Sequence, residues 1–218
     1  MDPMTLYNYY RSSTSYRVRI ALYYKKIAFE YKPVHLLMGG GEQYKQEYRQ
    51  LNPMSEVPTL VHGKLTIAQS MAILEYLEEL FPTPALLPKD SYLRAKIRQF
   101  CENINSFMHP INNLKILQYL EEKHSYDQKA KEGWVQYWMP KGFGATEKLL
   151  EEFSGKFCFG DELTLADLFL IPQVFTAQRF HVDLSSYPLI RKINDECLQL
   201  EAFVQAHPQL QIDAPKLI

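Results

Sequence analysis

A run of hydroxyl side chains stands where a short apolar segment gives way to a helical pattern. Residues 12–15 read Ser-Ser-Thr-Ser; they follow the apolar and aromatic residues 4–9 and precede Val18, Ala21 and Leu22, which recur at helical spacing. A helix N-terminus presents unpaired N–H groups and partial positive charge, so hydroxyl donors there stabilise an anion. One of the four could simply cap the helix. Four in a row exceed what capping needs and favour an anion-binding site.

The chain has no cysteine near this run. Its three cysteines, Cys101, Cys158 and Cys197, lie in the second half, widely spaced. They fit neither a disulfide framework nor a zinc site, and we expect a reducing, cytoplasmic setting. A nucleophilic sulfur at the hydroxyl run would therefore come from a ligand. Its thiol would need thiolate stabilisation to react near neutrality, and a donated hydroxyl proton would supply it.

Two further positions suit a peptide-like anion. Gln69-Ser70 begins another helical pattern, and its N-terminus suits a carboxylate, although Ser70 could act only as a cap. Two such helix starts suggest a doubly charged ligand. Val57-Pro58 opens a strand and has about one chance in ten of a cis bond. A cis bond would turn the Val57 backbone N–H and C=O outward, to pair with a peptide ligand as in strand addition.

The elements that carry these residues form a small α/β domain. The order is β-α-β-α-β-β-α, with the first two strands parallel and the last two in a hairpin. The elements are predicted at 4–9, 17–26, 29–32, 42–51, 57–67 and 69–80.

A proline-rich segment separates this domain from a helical one. Residues 82–90 contain Pro82, Pro84 and Pro88, which cannot continue a helix. From 91 onward the periodicity is helical, and Thr164-Leu165-Ala166-Asp167 predicts a capping box that begins a buried helix. We therefore predict domains at 1–81 and 91–218, joined by the linker 82–90.

Composition excludes several function classes. The 218 residues are 46% hydrophobic, enough for two small cores, and 24 basic against 25 acidic residues leave a net charge of -1. That balance gives no reason to expect a nucleic-acid or membrane partner. We expect no signal peptide and no membrane helix, since no apolar run approaches about 18 residues. The six histidines lack metal-ligand spacing, so no metal is expected. Small-molecule chemistry is favoured.

Several of these segments together resemble one family. Residues 12–22, SSTSYRVRIAL, resemble the SSCSxRVRIAL motif of zeta-class glutathione transferases, the maleylacetoacetate isomerases. Residues 51–60, 69–77, 160–167 and 172–180 resemble that family in the same order, so the likeness covers nearly the whole chain. It implies an α/β thioredoxin-like N-terminal domain followed by an all-α C-terminal domain.

The resemblance also implies roles for particular residues. Ser12 would activate the glutathione sulfur, with Ser13 and Thr14 as further catalytic candidates. Arg11 and Arg179 would pair with substrate carboxylates, unless they form only surface salt bridges. The implied glutathione-binding residues are Ser12, Ser13, Thr14, Ser15, Tyr16, Arg17, Gln43, Val57, Gln69, Ser70, His109 and Asn113.

The chain departs from the family pattern at two positions. Thr14 replaces the motif cysteine, and His109 replaces a glutamine. Threonine keeps a hydroxyl donor but forms no thiolate near neutrality. The resemblance therefore implies glutathione binding and makes isomerase efficiency the property to test.

The implied activity is a glutathione-dependent cis–trans isomerisation of maleylacetoacetate or maleylpyruvate, by thiolate addition, bond rotation and elimination. It would belong to tyrosine and phenylalanine breakdown, in a cytoplasmic homodimer. One alternative is a transferase that conjugates or dehalogenates small electrophiles with the same thiolate. A second is a non-catalytic glutathione-binding protein, since fold alone does not establish activity.

Overall fold

The computed structural model describes residues 2–216, which form two compact units. The first comprises the residues up to Ala85 together with those from Leu198 onward, and the second comprises Leu86–Cys197. The division after Ala85 falls inside the predicted linker 82–90. Within the described range, no helix combines the length and apolarity that a membrane span requires.

A four-stranded mixed sheet forms the centre of the first unit. Its strands are β1 (Met4–Asn8), β2 (Glu30–Pro33), β3 (Thr59–His62) and β4 (Leu65–Ala68), in spatial order β2-β1-β3-β4. β1 and β2 are parallel, with Leu6 opposite Tyr31, whereas β1–β3 and β3–β4 are antiparallel. The predicted parallel β-α-β unit and the hairpin are both confirmed.

Three α-helices alternate with or follow the strands in the N-terminal part of this unit. They are α1 (Ser13–Tyr24), α2 (Gln46–Leu51) and α3 (Ser70–Leu80). α1 and α3 pack against each other, and both bury large apolar side chains such as Ile20, Leu22 and Ile73. Burial alternates along β1, with Met4, Leu6 and Asn8 inside. This period of two fixes which side chains face the core.

The second unit is helical, as predicted. Its helices are α4 (Ser91–Glu102), followed by a π-helical turn (Asn103–Met108), α5 (His109–Ile111), α6 (Leu114–His124), α7 (Gln128–Phe153), α8 (Leu165–Arg179) and α9 (Pro188–Cys197). α8 packs against α4 and α9, and twelve of its 15 residues are buried. A helix buried on all sides forms the core of its unit.

The predicted capping box at the start of α8 is confirmed. The Asp167 carboxylate accepts the backbone N–H of Thr164 at 2.8 Å and the Thr164 hydroxyl at 3.1 Å. It also accepts the backbone N–H of Cys158 at 2.8 Å. These bonds satisfy groups that helix formation would leave without partners.

The C-terminal segment departs from the predicted domain limits. Sequence assigned all of 91–218 to the helical domain, whereas α10 (Glu201–Ala206) packs on α1 of the first unit. Arg19 supplies the reason. It is fully buried, and its Nε donates to the Ala206 carbonyl at 3.1 Å while Nη2 donates to the Tyr10 carbonyl at 2.9 Å. A buried guanidinium needs such acceptors, and only the returning chain provides the first.

Candidate functional site

Ser12 caps α1 and so lies where β1 leads into the helix. Its backbone is extended (φ -68, ψ 121), and its Oγ accepts the Ser15 backbone N–H at 3.2 Å. α1 thus begins at Ser13, four residues before the predicted Arg17, and the hydroxyl run forms its first turn. The capping alternative is therefore realised by Ser12. The Ser12 hydroxyl makes a second hydrogen-bond contact besides the cap, because its Oγ also lies 2.9 Å from Thr14 Oγ1.

Thr14 connects the start of α1 to the loop before β3. Its hydroxyl donates to the Val57 carbonyl at 3.0 Å, across 43 residues of sequence. The Val57-Pro58 peptide bond is cis, the minority outcome in the sequence prediction. Sequence reasoning placed Thr14 and Val57 at one site but missed this bond. No local signal reveals it, because the two residues meet only through the fold.

The four hydroxyl residues differ in exposure. Ser12 and Thr14 are half-buried, whereas Ser13 is 7% and Ser15 is 0% exposed. Tyr16 and Arg17 are also fully buried. Only Ser12 and Thr14 of the run therefore combine a hydroxyl with access to a ligand. The first turn of α1 contains no acidic residue, so no carboxylate within that turn offsets its partial positive charge.

Tyr9 is another hydroxyl residue near the start of α1 that could be considered as a donor to a ligand. It is 3% exposed and packs in a small core with Val34, Tyr48 and Val57. Burial raises the pKa of Tyr9 to about 12, against the opposing charge of Arg11. A hydroxyl held in the core is a poor donor to a ligand. Ser12 is the accessible donor.

A second helix start is tied to the first. Ser70 begins α3 and is 3% exposed, and its Oγ accepts a bond from Arg17 Nη1 at 3.1 Å. The preceding Gln69 is exposed, with a positive φ of 73°. The buried guanidinium of Arg17 therefore connects the N-terminal parts of α1 and α3, where the two predicted polar positions lie.

Gln43 lies in a short turn that follows three glycines. It is 2% exposed, and its Nε2 donates to the Leu36 carbonyl at 3.3 Å. Its Oε1 is buried and has no hydrogen-bond partner among residues 2–216. Gly41 has φ +99°, and a Cβ there would lie 2.6 Å from Gln43 Nε2. A buried amide oxygen without a donor is costly, so Gln43 Oε1 would gain from a donor that reaches it inside this turn.

Residues flanking Gln43 hold this turn, and sequence reasoning missed them. The Glu42 carboxylate accepts the His35 backbone N–H at 2.8 Å and the Lys45 ammonium at 3.0 Å. These bonds, that of His35 foremost, lower the pKa of Glu42. The glycine run marked the turn, but its spacing did not identify the carboxylate that closes it.

The remaining candidates lie in the second unit. His109 is half-buried at the start of α5, and Arg179 is exposed at the end of α8, its guanidinium 5.5 Å from the Phe180 ring. Asn113 caps α6, where its Oδ1 accepts the Lys115 backbone N–H at 3.0 Å. Sequence reasoning did not foresee that capping role. In the first unit, Arg11 is half-buried directly before Ser12.

These features define what the site can do. A half-buried hydroxyl and a helix start with no acidic residue in its first turn can hold an anion, and the Val57 carbonyl can accept an N–H of the peptide-like molecule that carries the anion. The sulfur must come with that molecule, because Cys101, Cys158 and Cys197 are all buried in the second unit.

Comparison with known proteins gives the same result over almost the whole chain. The family model "Glutathione S-transferase, N-terminal domain" matches residues 2–79, and "Glutathione S-transferase, C-terminal domain" matches residues 107–211. A maleylacetoacetate isomerase of Dictyostelium discoideum is 49% identical over 209 residues, which cover 96% of this chain and 95% of that protein.

Two solved structures extend the likeness to three dimensions. A holo maleyl pyruvate isomerase, described as a bacterial zeta-class glutathione S-transferase, matches with a TM-score of 0.94 at 45% identity, covering 97% of this chain and 100% of that chain. A maleylacetoacetate isomerase of Anaeromyxobacter dehalogenans with bound GSH matches at 0.87 and 41%, covering 99% and 100%. The chain therefore belongs to the family of zeta-class glutathione S-transferases and maleylacetoacetate isomerases.

Proposed function

We propose that this protein is a glutathione-dependent cis–trans isomerase that converts maleylacetoacetate, or the related maleylpyruvate, to the fumaryl isomer. The observation that carries the proposal is the Ser12 hydroxyl. It is half-buried at the N-terminus of α1, with no acidic residue in the first turn to compete for the helix charge. The relatives named as maleylacetoacetate and maleylpyruvate isomerases support this substrate class.

The residues present fit glutathione as the cofactor. When bound, glutathione would supply a thiolate that adds reversibly to the cis double bond and so permits rotation. Ser12 would donate its proton toward the sulfur, and the α1 N-terminus would favour the negative charge. Gln43, which is 2% exposed in the free protein, is proposed to contact the peptide on the strength of the family resemblance.

The rest of the glutathione site extends this arrangement. The Val57 backbone would pair with the peptide, and Gln69 and Ser70 at the start of α3 would hold a carboxylate. Ser13, Ser15, Tyr16 and Arg17 would act from within the fold, as the Arg17 bond to Ser70 illustrates. We extend the proposal to His109 and Asn113 of the helical unit on the strength of the family resemblance.

Two arginines are proposed to bind the substrate, which carries two carboxylates. Arg11 stands next to Ser12, and its charge reaches the junction strongly enough to oppose the rise in the pKa of Tyr9. Arg179 is exposed at the end of α8. Guanidinium groups bind carboxylates in bidentate geometry, which suits them to orient such a substrate.

Three finer statements belong to the same proposal. The reaction would serve tyrosine and phenylalanine breakdown, the protein would act in the cytoplasm, and it would be a homodimer. The domain limits 1–81 and 82–90 of the sequence prediction are retained as a proposal. The second domain is proposed to be 91–197, and the segment from Leu198 onward is proposed to complete the first domain.

The test is glutathione-dependent isomerisation of maleylacetone or maleylpyruvate by the purified protein. We expect turnover that requires glutathione and falls about 100-fold in Ser12→Ala, the usual effect of losing one donor to a developing anion. Ser186→Ala is the matched control, because Ser186 is an exposed serine of the second unit. Equal turnover with and without glutathione would exclude the proposal.

Product analysis separates the alternatives. Glutathione conjugates or released halide, without a fumaryl product, would identify a conjugating or dehalogenating transferase. Retention on immobilised glutathione with no turnover of any of these substrates would identify a binding protein. Either result would replace the isomerase proposal.

A further inference from the structure

The hydroxyls of Ser12 and Thr14 form a chain of hydrogen bonds whose direction can be worked out. Ser12 Oγ accepts the Ser15 N–H, lies 2.9 Å from Thr14 Oγ1, and Thr14 Oγ1 lies 3.0 Å from the Val57 carbonyl oxygen. We propose that Thr14 is a positioning residue that switches the direction of the Ser12 proton when a peptide ligand engages Val57. This inference rests on the proposed glutathione-dependent function and names how the same site is activated.

Proton counting fixes the direction in the free protein. A carbonyl oxygen only accepts, so the Thr14 hydroxyl must donate its single proton to Val57. Thr14 has no second proton to offer Ser12. The bond between the two hydroxyls is therefore donated by Ser12. In the free protein the Ser12 proton points at Thr14, not toward a ligand.

A peptide ligand can reverse this arrangement. A backbone N–H of the ligand that donates to the Val57 carbonyl makes that oxygen a weaker acceptor for the Thr14 hydroxyl, because the two donors then share its electron density. The released Thr14 hydroxyl rotates and donates to Ser12 Oγ, which is 2.9 Å away. Hydroxyl rotation needs no movement of the backbone.

When the direction of these hydrogen bonds is reversed, both lone pairs of Ser12 Oγ accept a hydrogen bond. Its oxygen has two lone pairs, one accepting from Ser15 N–H and the other now accepting from Thr14, and its own proton becomes free to donate to the sulfur. Two donors on one oxygen strengthen that donation by polarising the O–H bond. The ligand thiol then releases its proton to solvent water, and the thiolate is held by Ser12. Recognition of the peptide at Val57 is thereby coupled to activation of the thiol.

The experiment measures the pKa of the thiol of bound glutathione by ultraviolet absorbance of the thiolate across pH. The Thr14→Val variant keeps the shape but has no hydroxyl to donate to Ser12. We expect this substitution to raise the pKa of the bound thiol by up to about one unit, because Ser12 loses the donor that polarises its O–H toward the sulfur. Thr14→Ser restores the hydroxyl and should lie within a few tenths of a unit of wild type. Thr66→Val, on an exposed residue of β4, is the control.

A double-mutant cycle makes the test specific to Ser12. In a Ser12→Ala background, Thr14→Val should leave the thiol pKa unchanged, because the residue through which Thr14 acts is gone. An equal rise in both backgrounds, or no rise in the single variant, would overturn the switch. A wild-type protein that binds glutathione without ionising it would remove the proposed function as well, whereas wild-type ionisation with an inert Thr14→Val removes only the switch.

Discussion

The N-termini of α1 and α8 are both capped by hydroxyl residues, but only the cap of α8 includes a carboxylate. At α8 the cap is completed by Asp167, a fully buried carboxylate that accepts bonds from Cys158 and Thr164. Burial raises the pKa of Asp167, and these donors oppose the rise. At α1 the cap is the neutral, half-buried Ser12.

The difference separates a structural cap from a binding site. A carboxylate neutralises the helix charge and uses the available donors, so nothing remains for a ligand. A single neutral hydroxyl adds no negative charge to the helix start, and its proton, which Thr14 receives in the free protein, can be redirected to a ligand. Of these two helix starts, the one without an acidic partner is therefore the one suited to an anionic ligand.

The largest effect on turnover is expected from placing a carboxylate at the start of α1, as α8 has. Ser12→Asp should keep α1 capped, because aspartate caps about as well as serine, with stability changed by less than about 1 kcal/mol. The fixed negative charge should oppose the thiolate and reduce turnover by about a thousandfold, beyond the loss of one donor alone. Denaturant unfolding and the isomerase assay measure the two effects.

Ser12→Asn controls for shape in that experiment, since it is a neutral cap of similar size. It should lose less activity than Ser12→Asp. Equal losses would mean that the charge of the cap is irrelevant and that the comparison of the two helices fails.

Removing the carboxylate of α8 should produce the reverse pattern. Asp167→Ala leaves buried N–H groups of Cys158 and Thr164 without an acceptor, and we expect a loss of about 3 kcal/mol in the free energy of unfolding. Asp167→Asn keeps one acceptor oxygen and should cost less. Folded Asp167→Ala should bind glutathione with unchanged affinity, as measured by calorimetry. A stability loss below about 1 kcal/mol would contradict the structural role.

The start of α3 should behave as α1 does, because its first turn also lacks an acidic residue. Ser70→Ala removes the hydroxyl that Arg17 contacts and that we propose holds a glutathione carboxylate. We expect KM for glutathione to rise about tenfold, the value of one hydrogen bond to a charged group. With Ser70→Thr, which keeps the hydroxyl, KM should stay near wild type. A change in kcat without a change in KM would place Ser70 outside the binding site.

Much of this architecture follows from patterns that extend over a few residues. The parallel strands, the hairpin and the capping box of Thr164 and Asp167 are local signals of periodicity, turn chemistry and spacing, and all are confirmed. The start of α1 was predicted late, at Arg17, because serine and threonine favour turns over helix interiors. Their role in the first turn depends on Ser12 as the cap.

The contacts that were not foreseen join distant parts of the chain. Thr14 reaches Val57 across 43 residues, and Arg19 reaches Ala206 across 187. Helical periodicity shows that a helix has an apolar face but not which element covers it. Arginine is rarely buried, so nothing in the sequence indicated that Arg19 would need an acceptor from a distant segment, and the return of the C-terminal segment to the first unit was missed.

The Glu42 carboxylate tests whether burial causes the large effect expected at Asp167. Glu42 also accepts a backbone N–H, from His35 at 2.8 Å, but its side chain is 37% exposed. The bonds from His35 and Lys45 lower the pKa of Glu42 from its ordinary 4.5. Its stabilisation is therefore present above that value and is lost as pH falls through the lower folded-state pKa. Solvent screening should keep the difference between wild type and Glu42→Gln below about 1 kcal/mol at neutral pH, shrinking toward zero in acid. Unfolding curves at several pH values measure it, and a difference as large as that of Asp167→Ala would show that burial is not what distinguishes the two carboxylates.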